Sequence, residues 1–123
     1  MIDREMKIIG FIGLGVMGCS MSKNLLKNKK WDVLVKDLNI NKEKELENQG
    51  AKIASDTKEI FNLSDLVITC LPGGDFVKDL YFGRNKNISH IKINQVIIDM
   101  STSQPDLMIK LENEIKKKRC SFC

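Results

Sequence analysis

Apolar residues recur in short runs separated by mixed polar segments, and the runs alternate in character along the chain. Residues 7–12 form a continuous apolar run, the signature of a strand buried on both faces. Residues 16–28 then place apolar side chains at 17, 21, 25 and 26, which is helical spacing, with Asn28 expected as a left-handed cap. Residues 31–36 read as a second strand. Residues 41–49 read as a polar helix closed by Gly50, and 52–54 as a short third strand. Asp56 is placed to cap a helix over 57–62, with Glu59 at the capping-box position. Residues 66–71 give a fourth strand ended by "PGG", and 76–80 a short helix. Residues 81–93 read as a loop, 95–99 as a fifth strand, and 105–118 as a helix with Pro105 in its first turn.

Strands that alternate with helices through short connections argue for a parallel sheet covered on both faces. The expected fold class is therefore α/β, a doubly wound, Rossmann-like sheet of order 3-2-1-4-5. At 123 residues the chain suits one domain, read as residues 1–118 with a disordered or truncated tail at 119–123.

Composition changes this picture little. With 42% hydrophobic and 29% charged residues the chain reads as an ordinary globular protein. No apolar run suggests a membrane span, and the N-terminus resembles no signal or transit peptide, so a cytoplasmic protein is expected. The net charge of +4 is spread along the chain, and the one basic run, Lys116 to Arg119, suits a solvated helix end. No nucleic-acid partner is expected. Four cysteines do not make a metal site: Cys19 and Cys70 fall inside predicted elements, and Cys120 and Cys123 supply half of one at most.

The chemistry concentrates in "GLGVMG", residues 13–18, which follows a predicted strand and opens a predicted helix. That context makes G-x-G-x-x-G a dinucleotide-binding turn. Gly13 permits the tight turn, Gly15 lets a pyrophosphate approach the backbone, and Gly18 lets the helix pack against the strand. Amides near Val16 to Gly18 then bind phosphate at the positive end of the helix dipole. About 20 residues on, Asp37 ends the second strand in "VLVKDLN", where a carboxylate accepts from the adenosine ribose hydroxyls and repels a 2′-phosphate. NAD is expected as cofactor. NADP stays open because Lys36, Lys42 and Lys44 stand close by in sequence. "TCLPGGD" and "IIDMSTSQP" end the fourth and fifth strands, so Leu71–Pro72 and Ser101–Thr102 should meet the glycine turn in one crevice.

Taken in order, "IGFIGLGVMGCSMSKNLLK", "SDLVITCLPGG" and "VIIDMSTSQP" resemble the β-hydroxyacid dehydrogenases, the family that includes 3-hydroxyisobutyrate dehydrogenase and the NAD-binding part of 6-phosphogluconate dehydrogenase. The resemblance covers residues 7–118. It implies that Gly13, Leu14, Gly15, Val16, Met17 and Gly18 hold the dinucleotide, with Met17 near the nicotinamide. It implies that Asp37 selects the ribose, that Leu71 and Pro72 line the cofactor path, and that Thr102 touches the nicotinamide ribose. Ser101 and Thr102 would face the substrate, a small 3-hydroxy acid or its semialdehyde. In the family a second, all-helical domain supplies the catalytic lysine, so no catalytic residue is assigned here and the isolated chain is expected not to turn over. The alternatives are a non-catalytic dinucleotide-binding regulatory module and an unrelated small-molecule binder on the same fold. An open fifth-strand edge would also invite a homodimer or a complementing chain.

Overall fold

A computed structural model describes residues 7–84, 86–101, 105–118 and 121–122. Six strands form one parallel sheet in the order β3-β2-β1-β4-β5-β6. In chain order the elements are β1 (Ile8–Ile12), α1 (Val16–Lys27), β2 (Asp32–Lys36), α2 (Ile40–Glu47), β3 (Lys52–Ile53), α3 (Thr57–Leu63), β4 (Leu66–Thr69), α4 (Gly74–Phe82), β5 (Val96–Asp99), α5 (Pro105–Lys117) and β6 (Ser121–Phe122). A 3-10 turn, Asn87–His90, lies in the segment read as loop.

The expected order of five strands is present, and the sheet continues one strand further. Ser121 and Phe122, read as part of a frayed tail, pair with Val96 and Ile97 of β5. The tail therefore covers part of an edge expected to be open, because two extended residues suffice to supply ladder partners.

Strand residues alternate between two cores, as the period of two requires. Ile9 and Phe11 of β1, with Val33 and Val35 of β2 and Ile68 of β4, pack with Leu14, Cys19 and Leu46. Ile12, Leu34, Val67 and Ile97 face the other way, against Ile60 and Phe61 of α3, Val77, Leu80 and Tyr81 of α4, and Leu111 and Ile115 of α5. Gly10 explains how closely α3 can approach. A Cβ there would overlap the Ser64 hydroxyl and Ile60 Cγ2, so only hydrogen fits between β1 and α3.

Local chemistry sets the helix ends. The Asp56 carboxylate accepts the Glu59 N–H at 2.8 Å, as expected of an N-cap. Glu59 reaches back to the backbone N–H and hydroxyl of Ser55, one residue beyond the partner a capping box would use. Asn28 differs from expectation: it is extended at φ −96°, and its side-chain oxygen accepts the Lys30 N–H at 3.2 Å in the turn that leads to β2. Gly50, at φ +110°, takes the left-handed conformation after α2. Helix α4 begins at Gly74, two residues earlier than its apolar spacing predicts.

Candidate functional site

The sheet register brings four strand ends level. Ile12 pairs with Lys36 on one side and Thr69 on the other, and Thr69 pairs with Asp99. The residues that follow (Gly13, Asp37, Cys70 and Met100) therefore emerge along one carboxyl edge, where doubly wound sheets bind ligands.

Gly13 is the joint of this edge. Its φ is +97°, its N–H donates to Lys36 O at 3.0 Å, and a Cβ on it would overlap the Cys70 carbonyl. Gly18 is equally confined, since its Cβ would meet the Gly13 carbonyl. Gly15 is the opposite case: nothing lies within 4 Å of a Cβ built there. Gly15 is the N-cap of α1 and no side chain caps it. The first amides of a helix have no intrahelical acceptor, so those at Val16 and Met17 begin a positively polarised end beside open space. Val16 and Met17 are both exposed. An open cradle at Gly15 beside a free helix N-terminus fits a dinucleotide pyrophosphate.

Leu14 takes a different part from the rest of the turn. Its side chain is buried in the core, and its N–H donates to Asp37 Oδ2. Asp37 thus ties the turn to β2, and its Oδ1 accepts the Asn39 N–H at 2.7 Å. The backbone N–H of Asp37 donates to Glu43 Oε2 at 3.1 Å. Glu43 is buried in α2 and holds Lys36 Nζ at 3.3 Å. The sequence pattern marked Asp37 and Lys36 but not Glu43; a glutamate one turn into a helix after an Asn cap was the available signal.

The ends of β4 and β5 are joined by side chains. The Leu71 N–H donates to Ser101 Oγ at 2.7 Å, and the Ser101 N–H donates to Asp99 Oδ1 at 3.2 Å. The Thr69 hydroxyl donates to the same Asp99 oxygen at 2.7 Å. Asp99 Oδ2 and the Tyr81 hydroxyl are buried and have no hydrogen-bond partner among the described residues. Burial raises the Tyr81 phenol well above its usual value; the Thr69 hydroxyl works against this and the Asp99 charge adds to it. Burial also raises the Cys70 thiol, helped by Asp99 and opposed by the Gly18 N–H.

The structure thus gathers Gly13, Leu14, Gly15, Val16, Met17, Gly18, Asp37, Leu71 and Ser101 on one edge, with Pro72 exposed beside Leu71. Thr102 lies outside the described residues, as do Cys120 and Cys123. Among the described residues no cluster of three or more His, Cys, Asp or Glu side chains could hold a metal ion. Nor is any described helix long and apolar enough to cross a membrane.

A parallel sheet with a glycine turn and an acid after β2 defines a dinucleotide-binding α/β domain. The family model for the NAD binding domain of 6-phosphogluconate dehydrogenase matches residues 8–123, and the chain belongs to that family. It is 33% identical over 114 residues to the mitochondrial 3-hydroxyisobutyrate dehydrogenase of Mus musculus, covering 93% of this chain and 34% of that protein. It is 34% identical over 117 residues to the 3-sulfolactaldehyde reductase of Escherichia coli (strain K12), covering 95% and 39%. Among solved structures, Psf3 in complex with NADP+ and 2-OPP superposes with a TM-score of 0.85 at 25% identity, covering 93% of this chain and 40% of that one. The chain thus spans little more than a third of the length of these relatives.

Proposed function

We propose that this chain is the cofactor-binding part of a dehydrogenase or reductase that moves hydride between NAD and a small 3-hydroxy acid or its semialdehyde. The observation that carries the reading is the contrast within the glycine turn. Gly13 and Gly18 are filled by the protein itself, whereas Gly15 faces empty space beside unpaired helix amides. Packing alone accounts for the first two glycines and leaves the third without a reason. The relatives that carry 3-hydroxyisobutyrate dehydrogenase and 3-sulfolactaldehyde reductase activity support the substrate class.

In this reading the amides of Val16 and Met17 hold the pyrophosphate, the Gly18 N–H faces the Cys70 thiol, and the Met17 side chain lies toward the nicotinamide. Asp37 retains lone pairs for the ribose hydroxyls after accepting from Leu14 and Asn39. Leu71 and Pro72 line the path toward the nicotinamide, where Ser101 and Thr102 meet substrate. The bound nicotinamide supplies the hydride chemistry, and the chain positions it. The proton donor is assigned to no residue of this chain.

Gly15→Val is the test. A Cβ there meets nothing within 4 Å and the φ of −65° suits any residue, so thermal stability should stay within about 1 kcal/mol of wild type. NADH binding, followed by cofactor fluorescence, should be saturable in wild type and at least about 100-fold weaker in the variant, since close backbone approach is lost. Equal binding by both proteins would refute the site.

A further inference from the structure

The end of β2 has an unusual donor balance. Asp37 N–H is given to Glu43, Asn39 N–H to Asp37, and Asn41 N–H to Asn39 Oδ1 at 3.0 Å. The Lys36 ammonium is given to Glu43 at 3.3 Å. A 2′-phosphate needs donors, and amides and ammonium groups are its usual partners. Here these four are engaged within the protein, and two of them converge on one carboxylate. What the strand end still offers is acceptor capacity, chiefly on Asp37, and that suits a hydroxyl donor. Lys42 and Lys44 do not restore the balance. They flank Glu43 by one residue each, about 100° away on either side of the helix, and Lys42 lies in the field of Glu45.

We propose that Glu43 is a specificity-determining, positioning residue for the cofactor. By holding both Lys36 and the Asp37 N–H from behind, it withholds the cation and the amide that a 2′-phosphate would use. It acts through these two groups and needs no contact with the cofactor. The inference rests on the reading of Asp37 as the ribose partner.

The physical reason is partner competition. Glu43 is buried, so its carboxylate is poorly hydrated and must be paired from within the protein. Lys36 is partly exposed and can satisfy it without leaving the surface. Neutralising Glu43 removes that demand and leaves the ammonium free to swing to an anion at the strand end. The amide oxygen of a glutamine still accepts from Asp37 N–H, so the turn itself is kept.

The experiment is calorimetric titration of wild type, Glu43→Gln and the double variant Glu43→Gln/Lys36→Met with NADH and with NADPH. Wild type should prefer NADH. In Glu43→Gln the ratio of the NADPH to the NADH dissociation constant should fall at least about tenfold, the scale of one charge-assisted hydrogen bond. NADH affinity should change less than about threefold. The gain should vanish in the double variant, because it comes from Lys36. If Glu43→Gln fails to fold, Glu43→Asp, which keeps the charge but withdraws it by one methylene, should give part of the gain. A glutamate that only stabilised the fold would weaken both cofactors alike. An unmoved ratio in a folded variant that still binds NADH would overturn this proposal and leave the Asp37 reading intact. A wild type that prefers NADPH would overturn the Asp37 reading and this one with it.

Discussion

The two halves of the carboxyl edge are built in opposite ways. At β1 and β2 the backbone sets the shape and carboxylates lock it: Asp37 holds the Leu14 amide, and Glu43 holds the Asp37 amide. At β4 and β5 hydroxyls do the linking, through Thr69 and Ser101, and the buried Asp99 Oδ2 and Tyr81 hydroxyl have no hydrogen-bond partner among the described residues. A closed bonding pattern suits a rigid grip on the invariant parts of a cofactor. An open one leaves hydroxyls that can both donate and accept, and so can change partners.

Gly13 joins the halves, and breaking it should have the largest effect. Gly13→Ala forces a left-handed φ on alanine and overlaps the Cys70 carbonyl, so a loss of about 3 kcal/mol is expected in chemical denaturation. Wild-type stability in that variant would mean the halves are not coupled there. A smaller effect is expected within the second half. Thr69→Val removes one of two donors to Asp99 Oδ1, the other being the Ser101 N–H, and should cost about 1–2 kcal/mol.

Tyr81→Phe should have the smallest effect and sharpen the comparison through its sign. It removes a buried hydroxyl that has no hydrogen-bond partner among the described residues, so stability should stay level or rise by up to about 1 kcal/mol. Its pH signature is distinct. The folded-state pKa lies above the unfolded value of about 10, so the folded state holds the phenolic proton while the unfolded chain loses it. Stability tied to Tyr81 is therefore full below about pH 10 and lost as pH rises above it. Phenylalanine should remove that alkaline decline, read from denaturation curves between pH 8 and about 11. An identical decline in both proteins would place the cause elsewhere.

The first half was more legible in the sequence than the second. Short apolar runs followed by helical spacing carried β1, α1 and the strand order, because burial on both faces of a sheet leaves little freedom of composition. The G-x-G-x-x-G spacing and Asp37 carried the turn, since backbone constraints leave a glycine signature. Side-chain networks leave none. Asp99 was visible within "IIDMSTSQP", but its grip on Thr69 and Ser101 depends on the β4–β5 register. Glu43 stood among solvated neighbours in a polar helix, and only its place one turn after the Asn39 cap set it apart. Strand β6 was missed for another reason: two residues are too few to show any periodicity, and β5 rather than their own composition makes them extended. Leu14 shows the limit of a motif. It stands in the turn, yet its side chain serves the core and its amide serves Asp37.

The most direct test of the central claim is a map of backbone amide chemical shifts on adding NADH to the wild-type chain. Shifts should move together and saturate at Gly13 to Gly18, Asp37, Leu71 and Ser101, while amides at the opposite edge, such as Lys7 and Asp32, stay fixed. No saturable movement, or movement centred away from the glycine turn, would contradict the assignment of this edge as the dinucleotide site.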